Sequence, residues 1–252
     1  MARPKPPKKL KPAQPIAPPA TTKAPLPADI LTAPGQFGHK LHQAETTSWQ
    51  YWPALVVTGL LAGLAYALLV RPGLNLAAAE AARAATEKNI PLPGVLTHIT
   101  NAFGTFFLTI LTFLIMWGLG RLGTGPGQDT RGPKVAEVYS ATFALLPPLY
   151  LLTTALILLT PASAWAFTPQ QVTDAGGDAL KLQQAAMHNV ARTPAFLAFL
   201  LTSLLGTLAQ FGLAYAALRE NVGNRAIPAV LLPLLPALLI QFIGIAPLLF
   251  AR

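Results

Sequence analysis

Five stretches of this chain carry no Asp, Glu, Lys or Arg: Thr46–Val70, Asn89–Gly120, Val138–Thr173, Thr193–Leu218 and Ala226–Ala251. An apolar helix needs about 20 residues to cross about 30 Å of hydrocarbon, and every one of these stretches is longer than that. Charged residues make up only 11% of the 252 residues and hydrophobic ones 53%, against about 25% charge in an ordinary soluble domain. A set of soluble buried helices would need charged outer faces. Here the apolar character runs all round each stretch, and the charges lie in the connections. The chain therefore reads as an all-α, polytopic transmembrane helical bundle with five membrane-spanning helices, near residues 52–70, 99–119, 138–160, 195–218 and 227–250.

The third stretch is the longest, but past Thr160 it breaks into Pro161-Ala-Ser-Ala-Trp-Ala-Phe-Thr-Pro169. That segment is too short and too interrupted to cross again, and Trp165 and Phe167 read as interfacial aromatics. Residues 1–45 contain no continuous apolar run of the kind a secretory signal has. They read as a disordered, basic, proline-rich tail and juxtamembrane segment, with residues 46–252 as the five-helix transmembrane domain. The first 34 residues hold ten prolines and five lysines. Proline fixes φ and removes backbone donors, so this tail should be extended, with a reach of about 100 Å at about 3.1 Å per residue.

An odd number of crossings puts the two ends on opposite sides. With the N-terminus cytoplasmic, that side holds 12 of the 18 Lys and Arg residues and the far side 6. The positive-inside bias thus favours a cell-membrane protein with its N-terminus in the cytoplasm. Two connections on the far side read as short helices, Leu74–Lys88 for its alanine content and Asp178–Val190.

Material for catalysis is scarce. The chain has no cysteine, which removes thiolate chemistry and Cys-ligated metals. No acidic or basic residue lies at mid-membrane depth, which argues against an embedded-carboxylate transporter and against an aspartyl intramembrane protease. Ser140 and Ser203 have no visible base beside them. The chain is expected not to be an enzyme, to take no cofactor, and to have no catalytic, cofactor-binding or metal site. His39, His42 and Glu45 have a spacing that could put three ligands on one helical face, but solvent-facing polar residues are the commoner use of such a pattern. Gly118-Leu-Gly-Arg-Leu-Gly123 matches G-x-G-x-x-G. A phosphate-binding loop needs a strand before it and a helix after it; here a membrane helix precedes, and the glycines are expected to end that helix.

Other residues speak to packing. Asn101, Gln210 and Gln241 bring amides into the membrane, where partners on other helices are worth under about 1 kcal/mol on average. Gly59-Leu-Leu-Ala-Gly63 is a G-x-x-x-G pair, and Gly206, Gln210, Gly212 and Ala216 give the fourth helix a small-residue side. Either set could serve the monomer's own bundle or an assembly. Pro147-Pro148 should kink or split the third helix.

The order of these features resembles the Yip1 domain family of polytopic membrane proteins, as a bacterial-type member. The likeness rests on five helices behind a proline-rich N-terminal segment, on Phe103-Gly-Thr-Phe-Phe and on Trp117-Gly-Leu-Gly-Arg-Leu-Gly123. The Tyr139-Ser140 pair, followed by Pro147, is the other part of it. The resemblance spans about residues 34–250 in layout. It implies a non-enzymatic membrane protein that organises or recruits partners; eukaryotic members act in vesicle traffic with small prenylated GTPases. A small-solute or lipid transporter or channel is the alternative, built on the Pro147-Pro148 break and on Gln210 and Gln241. Membrane lipids are the expected surroundings, and further copies of the chain or other membrane proteins the expected partners. Nucleic acid is not expected, and no small-molecule substrate is specified.

Overall fold

The computed structural model describes residues 23–45, 48–84, 94–125 and 134–250, and every regular element in them is helical. Four stretches are long and apolar enough to cross a membrane: Trp52–Ala84, Val95–Thr124, Val135–Leu159 and Pro194–Leu249. The count is four where the charge gaps give five, because the last stretch runs through the positions of both the fourth and the fifth expected helix. The protein is a multi-pass, all-α membrane protein.

That last stretch is not one rod. It consists of α9 (Pro194–Val222) and α10 (Ala226–Leu249), joined by a single 3-10 turn at Gly223–Arg225. Gly223 sits at φ 58° and ψ −127°, a conformation that a side chain would strain. In one unbroken helix Ser203 and Gln241 would lie about 57 Å apart. In the structure both line the same small cavity, so the chain reverses at the turn.

Close contacts fix the register of the other long elements. In α3 (Trp52–Ala84) and α4 (Val95–Thr124), Gly59 lies against Phe106 and Thr109, and Gly63 against the Ala102 carbonyl. That pairing is antiparallel, and it assigns the G-x-x-x-G pair to the monomer's own bundle. Along α4 and α10, Gly123 meets Ala229 and Gly244 meets Leu108. The third apolar stretch divides into α5 (Val135–Thr142), a 3-10 turn at Phe143–Leu145, and α6 (Leu146–Leu159). Leu146 of α6 covers Gly206 of α9, while Thr153 and Thr202 share a hydrogen bond of 2.9 Å. The long elements thus run alternately between two ends of one bundle.

The split at Phe143–Leu145 falls where the two prolines place it. Pro147 has no N–H to offer the carbonyl four residues back, which is that of Phe143. That carbonyl instead accepts the Leu146 N–H and the Thr58 hydroxyl of α3 at 2.8 Å. The same substitution of partners occurs on α10. Pro233 cannot serve the Ala229 carbonyl, and the Tyr139 hydroxyl donates to it at 2.8 Å. We expect Tyr139→Phe to cost about 1 kcal/mol. Thr58→Val should cost nearer 0.6, about the mean interhelical hydrogen bond in a membrane, because Phe143 keeps its second donor. Denaturation by SDS in mixed micelles measures both, and the reverse order would refute the assignment.

Several boundaries differ from those read off the charge gaps. The first helix does not stop at Val70 but continues through Arg71 and Pro72 to Ala84, absorbing the described part of the expected Leu74–Lys88 helix. Alanine propensity carries it, and so does packing: Gly73 lies against Val190 and Ala186 of α8 (Ala179–Ala191), and Ala77 and Ala81 form a second small core with Leu182 and Ala186. Asp178 caps α8 by accepting from the Leu180 and Lys181 N–H groups at 2.8 and 3.3 Å. Trp165 is buried in the 3-10 turn after α6. Phe167, half-buried, packs against the alanine core.

Gly118–Gly123 does not end its helix either. Helix α4 runs on to Thr124, and Gly125 at φ 68° closes it. Gly120 lies under the Tyr139 ring, and a Cβ on Gly123 would stand 2.6 Å from the Pro228 carbonyl carbon. These glycines let the α10 backbone and the Tyr139 and Val135 side chains of α5 close onto α4.

The largest difference lies before the first span. Residues 1–22 lie outside the described residues, but residues 23–45, expected as part of the tail and juxtamembrane segment, are folded onto the bundle. Helix α2 (Pro34–Gln43) packs along α9, preceded by the single-turn α1 (Asp29–Thr32). Ile30, Phe37 and Leu41 are fully buried. Phe37 and Leu41 share one face of α2, Ile30 comes from α1 across the break at Ala33, and burying the three offsets the ordering of the segment.

Candidate functional site

Two places concentrate polar groups with defined geometry. The first is the bundle interior. Tyr66 of α3, Thr105 of α4, Tyr150 of α6, Ser203 of α9 and Gln241 of α10 line a cavity of about 20 Å³. Each comes from a different long element, so the site exists only because the register brings all five together. Tyr150 and Ser203 share a hydrogen bond of 3.3 Å, and Gln241 Nε2 donates to Thr112 Oγ1 at 3.0 Å. The Thr112 hydroxyl in turn donates a hydrogen bond to the Leu108 carbonyl at 2.8 Å. The space suits one water molecule, which needs about 10–15 Å³ and two to four polar partners. With only hydroxyls and amides present, the chemistry available is hydrogen bonding.

Gln241 therefore ties α10 to α4, as expected for an interhelical amide. Gln210 does not join it. It is 1% exposed, and its Nε2 has no hydrogen-bond partner among the described residues. Ser140 Oγ is buried and without a partner in the same sense, so Ser140 and Ser203 have different surroundings. Asn101 is half-buried on α4, and its carbonyl accepts from Thr105 at 3.2 Å.

The second place is the end of the bundle where α2 docks. The Tyr51 hydroxyl donates to the Pro25 carbonyl at 2.9 Å, and its ring meets Phe37 edge-on at 5.9 Å. Lys134 Nζ donates to the Ala44 carbonyl, tying the docked segment to the start of α5. A Cβ on Gly38 would overlap the Ala217 carbonyl oxygen, so helix and helix touch backbone to backbone. Arg225 Nη1 reaches the Thr124 carbonyl at 3.2 Å, and Arg121, Lys134, Arg219 and Arg225 all lie at this end.

The His39, His42 and Glu45 spacing does not form a triad here. Helix α2 ends at Gln43, which takes Glu45 off the helical face, and His39 pairs with Gln43 Nε2 at 2.9 Å. Among the described residues no group of three or more His, Cys, Asp or Glu could hold a metal.

Burial, reinforced by the negative charges of Glu137 and Asp29, pushes the Tyr51 hydroxyl from its ordinary 10.0 up to about 12. Between those values the undocked phenol ionises while the docked one keeps its proton. Undocking then releases a proton, and docking weakens as pH rises from about 10 to about 12. Protection of the Gly35–Leu41 amides should fall over that window, and Tyr51→Phe should reduce that fall. A pH-independent wild type would contradict the contact.

What fold and sites define together is a polytopic α-helical integral membrane protein with a hydrogen-bonded interior and an N-terminal segment docked at one end. No family model, curated protein or solved structure matches the chain. Nothing in the fold or in these comparisons ties the chain specifically to the Yip1 domain family.

Proposed function

We propose that this is a non-enzymatic membrane protein of Yip1-like type that crosses the bilayer five times with its N-terminus in the cytoplasm. It organises or recruits partners there through its basic, proline-rich tail. The observation that carries the reading is the docking of residues 23–45 against α9. It fixes where the tail of residues 1–22 leaves the bundle, at the end that also holds Arg121, Lys134, Arg219 and Arg225. The bundle end there is mixed in charge, with Asp29, Glu137 and Glu220 beside the cations, so the basic tail itself favours an anionic surface or partner, with up to about 1 kcal/mol per Lys or Arg held near an anionic membrane.

The interior offers transport little support: one polar side chain from each of the five long elements lines a cavity of about 20 Å³, room for a water. The reversal at Gly223–Arg225 supports five crossings rather than four.

In-membrane crosslinking of the full chain and of a chain lacking residues 1–22 tests the recruiting role. Loss of crosslinked partners on deletion is the expected result, and an unchanged set would sink it. Reporters placed before Lys23, in 85–93, in 126–133 and after Arg252 test the topology. The first and third should report the cytoplasm, and the second and fourth the far side.

A further inference from the structure

We propose that the cleft between α7 (Pro169–Ala175) and α8 binds a small zwitterion, an ammonium group at one end and an oxyanion at the other. The cleft measures about 420 Å³, within the size range of small-molecule sites. It lies at the end of the bundle away from the docked N-terminal segment.

Two helix faces build it. Gln171, Asp174 and Ala175 recur at the three- and four-residue spacing of one face of α7. Lys181, Ala185 and His188 do the same on α8. The opposite face of α8, with Leu182, Ala186 and Val190, is buried, so the polar stripe is the side left over once α8 has packed against α3. Ala175 and Ala185 open the space between the walls.

The walls are held in place. Gly176 and Gly177, at φ 57° and 84°, form the tight turn between the two helices. Gln171 Nε2 donates to Asn189 Oδ1 at 2.9 Å, and Asn189 Nδ2 donates to the Ala166 carbonyl at 3.1 Å. Gln171 also closes a capping box with Thr168. One amide therefore fixes the start of α7, the spacing of α7 from α8, and one edge of the cleft.

The charges complete the case. Asp174 accepts a hydrogen bond from Gln170 Nε2 at 3.2 Å, and it forms no ion pair with Lys181. The Lys181 ammonium has no hydrogen bond or ion pair among the described residues. Opposite charges thus stand on facing walls without meeting, and a ligand with complementary ends would serve both. Each charge is exposed, and an exposed pair is worth at most about 1 kcal/mol. Binding then needs both ends together.

Such a zwitterion could be a free solute or the headgroup of a membrane lipid, since the last residue lining the cleft, His188, lies six residues before the apolar stretch that begins at Pro194. In the first arm, the full chain in phosphatidylcholine nanodiscs is titrated calorimetrically with glycerophosphoethanolamine, and with inorganic phosphate and ethylammonium separately. The zwitterion should bind at least tenfold more tightly than either half. Asp174→Asn and Lys181→Gln should each weaken it at least tenfold, and Lys181→Arg should restore it. In the second arm, native mass spectrometry reads the lipid retained after extraction from an equal mixture of phosphatidylethanolamine and phosphatidylcholine. Enrichment of the ethanolamine lipid, lost in Asp174→Asn, assigns a headgroup; binding in the first arm alone assigns a free solute. Neither binding nor enrichment, or variants that match the wild type in both arms, overturns the proposal. Both substitutions are on exposed side chains, so unchanged melting separates loss of binding from loss of fold.

Discussion

Gly63→Ala should destabilise the protein by about 2–3 kcal/mol, the upper part of the range of about 1–3 kcal/mol for overpacking, although it adds a single methyl group. That methyl would occupy the place of the Ala102 carbonyl. Helices α3 and α4 would have to separate along their whole crossing to admit it. In lipid that separation is not resisted by a hydrophobic driving force, since the tails solvate Leu as well as another helix does. What is lost is close packing itself. Gly123→Ala should behave alike, because its Cβ would stand 2.6 Å from the Pro228 carbonyl carbon. The comparison that gives the experiment its force is Gly104→Ala, Gly118→Ala and Gly212→Ala, where an added Cβ meets nothing within 4 Å. These should be neutral or stabilising by up to about 1 kcal/mol, from helix propensity alone. Unfolding in SDS mixed micelles, followed by tryptophan fluorescence, reads all five. If the two sets shifted equally, the antiparallel register of α3 with α4 and of α4 with α10 would be wrong.

Gly38→Ala should release the N-terminal segment while leaving the bundle standing. Its methyl would overlap the Ala217 carbonyl oxygen. The α2 helix is short, and it can leave α9 without unfolding anything else. The cost then appears as local opening: 1–3 kcal/mol of overpacking converts to a population of the undocked form about 5–150 times higher. Hydrogen exchange of residues 35–43 should accelerate by that factor, and the amides of α4 and α10 should not change. Two outcomes would count against the docked arrangement: unchanged exchange in α2, or loss of protection throughout the bundle. The same variant bears on function. A released segment no longer fixes where the basic tail emerges, so crosslinks that depend on the tail should scatter over more sites in Gly38→Ala.

Much of the architecture was legible because it follows from local chemistry. Uncharged runs longer than a bilayer is thick can be stable only in lipid. Pro147-Pro148 breaks the third apolar stretch because two N–H groups are missing. Asp178 starts α8 because a carboxylate there can accept the first free amides. Boundaries were less legible: Arg71 and Pro72 looked like the exit from the membrane, yet α3 continues because α8 packs against it. The docked segment had a faint signal in Phe37 and Leu41, one helical turn apart just after the chain's proline- and lysine-rich start. Tyr139 and Thr58 could have been found by asking which donor replaces each missing proline N–H. The interior cavity left no trace in the order of residues, since its five walls come from positions as far apart as Tyr66 and Gln241.

The amino-acid order alone settled the solvent and the secondary structure: an all-helical chain living in the bilayer, with a basic tail and one helix split by prolines. Charge burial and backbone donors are properties of each segment by itself, so no partner is needed to read them. Tertiary structure decided which glycines are contacts and which merely face lipid, that residues 23–45 lie against α9, and that polar side chains converge on one water-sized space. Those outcomes depend on register, and a shift of one residue along a helix turns each side chain by about 100°.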